Sequence, residues 1–382
     1  MRVFFLHYAH EAGVRPDAGG FRKLWELARA TRRLGHDAVL FHPRTQPPLL
    51  DVPARAYPVV DARAVRPLTA WSTMAVAALR EGRHRRPDIV YYRHGLNVLP
   101  LVVARLLRAR SAVEVNADLE EFLASEHAGA GLRRAFALAE RINVRHADHV
   151  VALTPGLADT LTRRHRRPSA RVDVIPSGTD AEHFRPDAPR VVRQRLRLDP
   201  DRPTIGFVGL FYRHQGVSIL LDALTAVRQS VPDVAALLVG DGVMRHEWEA
   251  RARSLGLSDV ARFAGQIPYA SVPGWINAMD VVVAPFAGTR GETSPFKVLD
   301  AMACGRPVVA SALPSMEPLA ASGGVVTVPP DDPALLAEAL IELIVDAPRR
   351  EKLGAAGREF VTREHDWRRI AARLVEALGE RP

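Results

Sequence analysis

The chain has 382 residues, 47% of them hydrophobic, which is long for one core and suits two domains of about 150 to 200 residues each. Its one cysteine, Cys304, excludes an internal disulfide and any multi-cysteine zinc site, which fits a reducing cytoplasm. The net charge of +9 rests on 52 basic residues, of which only Lys23, Lys297 and Lys352 are lysine, and such an arginine excess is weak ground for nucleic acid. An anionic ligand or a membrane surface suits the charge equally well. No apolar run approaches the roughly 20 residues of a membrane span, and the opening run is too short for a signal peptide. The reading is a soluble, cytoplasmic protein that at most touches a membrane peripherally.

In chain order, Val3 to Tyr8 reads as a strand, and Asp17-Ala18-Gly19-Gly20 leads into a helix with Phe21, Leu24, Leu27, Thr31 and Leu34 on one face. Gly35 ends that helix before a strand from Ala38 to Phe41. Paired glycines let backbone N–H groups approach a phosphate or sugar closely, although a tight turn alone uses them as well. Residues 42 to 69 carry Pro43, Pro47, Pro48, Pro53, Pro58 and Pro67 and read as a surface excursion with short strands. A helix follows from Trp71 to Arg80, then a buried strand from Asp88 to Tyr92 and a helix from Asn97 to Arg108. His94 stands at the carboxyl end of that strand, where open parallel sheets place their ligands. It can donate to a phosphate or polarise a hydroxyl, or be an ordinary hydrogen-bonded loop histidine. The next strand, Ala112 to Val115, ends at Asn116 and Asp118, with Glu114, Glu120 and Glu121 as further carboxylates near that edge. Helices from Leu132 to His146 and Pro155 to Arg164 flank a strand from Val150 to Thr154, and the basic run Arg163 to Arg167 suits phospholipid headgroups or plain solvent.

Residues 187–203, with Pro189, Pro200 and Pro203, read as a linker between a first domain (1–186) and a second (204–365), with a final helix over 366–382. The second half alternates strands and helices again, as a doubly wound sheet does. Its first strand, Ile205 to Gly209, opens into a loop carrying Arg213, His214 and Gln215. Gly240-Asp241-Gly242 and Phe263-Ala264-Gly265-Gln266-Ile267 follow two later strands. The stretch from Glu292 to Ser311 reads as loop, helix, turn and strand. Thr293 and Ser294 can cap a helix whose first turn takes Pro295, while Phe296, Leu299, Met302 and Ala303 share one face. Glu292 then stands just before a helix start, which favours anions such as a diphosphate, and Asp300 stands two turns on. Lys297, Arg213, His214 and Arg290 are the cations on these loops.

Glu292, seven residues, then Asp300-Ala-Met-Ala-Cys-Gly-Arg-Pro-Val-Val-Ala resembles the E-x7-E segment of family 4 glycosyltransferases. Ile175-Pro-Ser-Gly-Thr-Asp180, with Phe184 and Pro186, resembles the family's I-P-N-G-V-D junction, and Leu34-Gly35-His36 its first helix end. The resemblance implies an α/β chain of GT-B fold, with two Rossmann-like domains facing an interdomain cleft. It implies a retaining transferase that needs no metal and no cofactor beyond a nucleotide-sugar co-substrate, a UDP-sugar favoured and a GDP-sugar the alternative. The acceptor is a small molecule or lipid-linked, with no nucleic acid as partner and the oligomeric state left open. Glu292 falls where the family contacts the donor sugar, Asp300 where a second Glu reaches the ribose, and Ile267 where the base is held. Thr293, Ser294, Pro295 and Phe296 belong to the same donor-binding stretch, as do Gly209 after the first strand of this half and Gly19 and Gly20 in the opening loop. The family's diphosphate-gripping Arg and Lys are replaced here by Leu210 and Gln215, so Lys297 and then Arg213 are the candidates for that charge. Asn116 stands where many members have a histidine, and with His94 it forms the acceptor side.

Other readings stay open on the residues. A nucleotide-sugar epimerase or hydrolase shares the fold, and a non-catalytic basic nucleotide- or membrane-binding protein is favoured by charge alone. A dinucleotide oxidoreductase lacks its G-x-G-x-x-G after a strand, a P-loop enzyme its Gly-Lys, and a serine hydrolase its G-x-S-x-G.

Overall fold

The computed structural model describes residues 1–7, 19–44, 52–59, 66–118, 120, 123, 129–166, 172–288 and 295–379. The chain divides into two compact units, the first holding Met1–Ser177 and Trp367–Pro382, the second Gly178–Gly291 and Pro295–Asp366.

Unit 1 is a parallel sheet of β1 (Arg2–Leu6), β2 (Asp37–Pro43), β3 (Ala54–Tyr57), β4 (Ile89–Arg93), β5 (Arg110–Val115), β6 (His149–Ala152) and β7 (Val172–Val174), in the order β3-β2-β1-β4-β5-β6-β7. Strands such as Phe4-Phe5-Leu6 and Ile89-Val90-Tyr91-Tyr92 are apolar without alternation because both faces are covered. The covering helices are α1 (Gly19–Arg33), α2 (Arg66–His84), α3 (Leu99–Leu106), α4 (Ala130–His146) and α5 (Pro155–His165). Thr154 caps α5, its hydroxyl accepting from the Leu157 N–H at 3.2 Å.

Unit 2 repeats the plan. Strands β8 (Thr204–Val208), β9 (Ala235–Val239), β10 (Ala261–Gly265), β11 (Val281–Ala284), β12 (Val308–Ser311) and β13 (Val325–Val328) are parallel in the order β10-β9-β8-β11-β12-β13. Its helices are α6 (Pro189–Arg195), α7 (Val217–Ser230), α8 (Arg245–Ser254), α9 (Val272–Asn277), α10 (Phe296–Ala303), α11 (Glu317–Ala321), α12 (Pro333–Val345) and α13 (Ala347–Glu364). The last helix, α14 (Trp367–Gly379), belongs to unit 1, where it packs along α1 with Trp367, Ile370, Ala371, Leu374 and Leu378 buried. No helix among the described residues is long and apolar enough to cross a membrane.

Several local expectations are corrected. The first strand ends at Leu6, and the proline-rich stretch, beside the short strand β3 of the kind expected there, also holds the start of α2. The expected linker 187–203 holds α6, and the Arg193 guanidinium anchors that helix within unit 2 by donating to the Ala278 carbonyl at 2.8 Å and to Asp280 at 2.6 Å. The division by contacts accordingly falls at Ser177/Gly178 and not at residue 186. Helix α10 starts one residue later than expected, with Pro295 at its N-cap and no side-chain cap bond.

Candidate active site

In both sheets the first strand, β1 or β8, lies beside the fourth, β4 or β11, and chain connections leave these two strands in opposite directions. A crevice therefore opens at their carboxyl ends, where doubly wound sheets take ligands. In unit 2 this place is filled from β8 and from α10. Gly209 follows β8 so closely under α10 that a Cβ there would lie 2.9 Å from the Lys297 amine and 3.2 Å from the Phe207 ring. Gly216 turns the chain at φ +67°, where a Cβ would collide with the Pro285 carbonyl oxygen at 1.6 Å.

Lys297, in the first turn of α10, is half-buried. Its ammonium donates to the Gln215 side-chain oxygen and sits over the Phe207 ring, 3.9 Å from the centroid, with Phe286 at 5.2 Å. Burial pushes its pKa down to about 7. The amine is thus desolvated, held by one neutral amide and two rings, and offered no carboxylate by any bond among the described residues. A strongly held anion is the missing counter-charge such a group favours. Arg213, the other candidate cation, faces away on the short turn Arg213–Gln215, with its side chain 74% exposed and paired to Glu247 at 3.4 Å.

One helical turn beyond Lys297, Asp300 is buried, and its carboxyl accepts from the Thr179 hydroxyl at 2.7 Å. Thr179 is itself fixed by its N–H donating to the His365 carbonyl at 2.8 Å. Ile267 lies in the loop after β10, partly buried against the apolar layer that includes Val298 and Leu299 of α10. Phe296 opens α10. Glu292, Thr293, Ser294 and Arg290 lie outside the described residues. Sequence reasoning treated Gln215 and Thr179 only as departures from a pattern; the structure makes them the partners of Lys297 and Asp300.

In unit 1, Gly19 and Gly20 are the first residues of α1, and His94 and Asn116 follow β4 and β5. His94 is buried, its backbone N–H donating to the Glu114 carbonyl at 2.7 Å. Asn116 is half-buried, and its side-chain oxygen has no hydrogen-bond partner among the described residues. Glu114, expected as a carboxylate at this edge, is instead committed inward. It pairs with Lys23 of α1 at 2.8 Å and accepts from the Tyr91 hydroxyl at 2.5 Å. Burial lowers the Lys23 pKa against the raising effect of Glu114, and burial with the Glu114 charge raises that of Tyr91. This buried trio ties the second turn of α1 to the middle of β4 and the end of β5. Asp118 is likewise engaged, with Arg164 at 2.5 Å.

Two parallel sheets of this order, each gathering its polar groups at the strand ends, define the GT-B class of fold. Residues 202–346 match the family described as Glycosyl transferases group 1, and residues 19–178 match the Glycosyl transferase 4-like domain. The chain is 32% identical over 220 residues to a GDP-mannose-dependent alpha-(1-6)-phosphatidylinositol monomannoside mannosyltransferase of Mycobacterium tuberculosis, a match covering 55% of this chain and 56% of that protein. It therefore spans little more than half the length of that relative. A D-inositol 3-phosphate glycosyltransferase of Xylanimonas cellulosilytica is 27% identical over 405 positions, covering 95% of this chain and 92% of that one. The crystal structure of HepE from Anabaena in complex with UDP superposes with a TM-score of 0.75 at 19% identity, covering 99% of this chain and 100% of that one. The chain belongs to the family 4, group 1 glycosyltransferases of GT-B fold.

Proposed function

We propose that this chain transfers a sugar from a nucleotide-diphosphate sugar to an acceptor hydroxyl, with retention of configuration and without a catalytic metal. The observation that carries the reading is the Lys297 seat, a desolvated amine held by Gln215 beside Gly209 at the switch point of the second sheet. A donor diphosphate at that point would give the ammonium its counter-charge. Lys297 would then stabilise the charge that grows on the departing diphosphate, a preorganised effect worth several kcal/mol in a dry site. Asp300, fixed by Thr179, accepts from the ribose hydroxyls, and Glu292 holds the hydroxyls of the donor sugar. Ile267 receives the base. The acceptor enters past Gly19, His94 and Asn116, and its hydroxyl attacks the face that the diphosphate leaves, with no protein nucleophile.

The donor is a UDP- or GDP-sugar; the relative named for GDP-mannose gives the guanine nucleotide equal standing with the uridine one. The acceptor is a small molecule or lipid-linked, and the names of both relatives carry an inositol phosphate or phosphatidylinositol. The protein works in the cytoplasm, at most peripheral to the inner face of a membrane. An epimerase or hydrolase of the same fold would consume the donor without any acceptor. Release of nucleoside diphosphate from UDP-glucose and GDP-mannose, followed with and without inositol 3-phosphate and phosphatidylinositol, separates the two. Transfer predicts that release rises at least tenfold with one acceptor. Equally fast release without acceptor contradicts it.

A further inference from the structure

Several arginines of unit 2 are paired: Arg228 with Asp259, Arg251 with Asp222, and Arg245 with Asp241 and Glu249. The groove between α4 and α5 in unit 1 is different. Arg133, Arg141 and Arg145 of α4, with Arg166 at the end of α5, line one cavity of about 490 Å³, within the range of roughly 300–1,000 Å³ usual for small-molecule sites. Among the described residues, none of these four guanidiniums makes a hydrogen bond or ion pair. Arg133, Arg141 and Arg145 recur at multiples of four along α4 and so share one face. Arg141 and Arg145 are themselves a like-charge pair one turn apart, which opposes the helix unless an anion lies between them.

The floor is already satisfied. Glu140 is buried, accepts from Arg164 at 3.1 Å and pairs with the His165 ring nitrogen at 2.7 Å. Burial alone would raise the Glu140 pKa, but the His165 hydrogen bond, the charge of His94 and the Arg164 contacts outweigh it and lower it. The carboxylate is therefore spent on its own neighbours and leaves the rim cations uncompensated. Of the charged lining residues, five arginines stand against Glu120 and Glu140, an excess of three positive charges.

We infer that the groove between α4 and α5 binds a phosphate group of a small molecule or lipid headgroup. Several guanidinium forks converging on one cavity match the three oxygens of a phosphate better than a single carboxylate. The site is independent of the donor side. Phosphate binding in this groove does not rest on the proposed transfer.

The test uses the whole chain saturated with UDP and GDP, so that any donor diphosphate site is filled. Arg141→Gln/Arg145→Gln removes two exposed, unpaired cations and leaves the core intact, and Arg253→Gln, at an exposed arginine of α8 in unit 2, serves as the control. Inorganic phosphate is titrated calorimetrically, and sedimentation is measured with vesicles of phosphatidylcholine alone or with one fifth phosphatidylinositol. The proposal expects phosphate affinity to fall at least tenfold in the double variant and to stay within twofold in the control. Sedimentation with the anionic vesicles, lost in the double variant, would identify a lipid headgroup as the source; phosphate binding without sedimentation would identify a soluble phosphorylated ligand. Equal phosphate affinity in wild type and double variant, or no binding of phosphate or vesicles, would overturn it.

Discussion

Lys297 is one of three lysines among 52 basic residues, and its environment explains why a lysine stands there. A compact amine fits between the Phe207 ring and the Gln215 amide, and unlike a guanidinium it can shed its proton when buried. With a folded pKa of about 7 against about 10.4 in the unfolded chain, it binds fewer protons than the unfolded chain between those values. Its contribution to stability therefore rises as the pH goes from about 7 to about 10, and below 7 the penalty is fully present. A diphosphate placed against it would raise the pKa, so donor binding would take up a proton. Nucleoside-diphosphate affinity should be flat below pH 7 and weaken by up to about tenfold per unit above it, as titrations at pH 6, 7 and 8 would read. Lys297→Gln should bind weakly with no such slope, and an unchanged slope in that variant would remove Lys297 from the site. The rarity of lysine and its place in the motif made this residue legible in the sequence. Its partner was not, because Gln215 lies 82 positions away, and Thr179 lies 121 positions from Asp300. One chain read alone shows that three of these four positions depart from a pattern, but not that the four meet in two pairs.

Elements were easier to read than their ends. Strands covered on both faces write themselves as short apolar runs such as Val281-Val282-Val283-Ala284, and helices as a spaced apolar stripe, so the repeated strand–helix alternation was plain. Proline and charge in 187–203 suggested a linker, whereas Pro189 opens α6, a position where its missing N–H costs nothing. At the start of α10 the N-cap position falls to Pro295, while Thr293 and Ser294, the expected caps, lie outside the described residues. Close packing at the end of β8 makes an element-scale prediction. Gly209→Ala places a methyl 2.9 Å from the Lys297 amine, which must leave its seat. Nucleoside-diphosphate affinity measured by calorimetry should drop at least tenfold, while far-ultraviolet circular dichroism keeps the native helix and strand content. Undiminished affinity would mean the amine does not hold the diphosphate where the seat puts it.

At the scale of the molecule, the same strand order appears twice without a sequence repeat, because parallel strands with right-handed crossovers admit few solutions. The C-terminal helix α14 completes unit 1, though it follows unit 2 in the chain. Its five buried side chains, each worth about 1.5–3 kcal/mol if large and apolar, cover α1, so ending the chain at Asp366 should unfold unit 1 selectively. Loss of its protease resistance, with unit 2 still protected, is the outcome expected in limited proteolysis; equal resistance of both units would show that α14 is dispensable. The central claim is that unit 2 holds a nucleotide-diphosphate sugar through Lys297. Thermal unfolding of wild type and Lys297→Gln with UDP, GDP, ADP and dTDP and their common sugars, without added metal, tests it most directly. The account predicts that one base stabilises the wild type, by about 2.7 kcal/mol at one hundred times its dissociation constant, and stabilises the variant far less. No shift with any nucleotide, or equal shifts in both proteins, would contradict it.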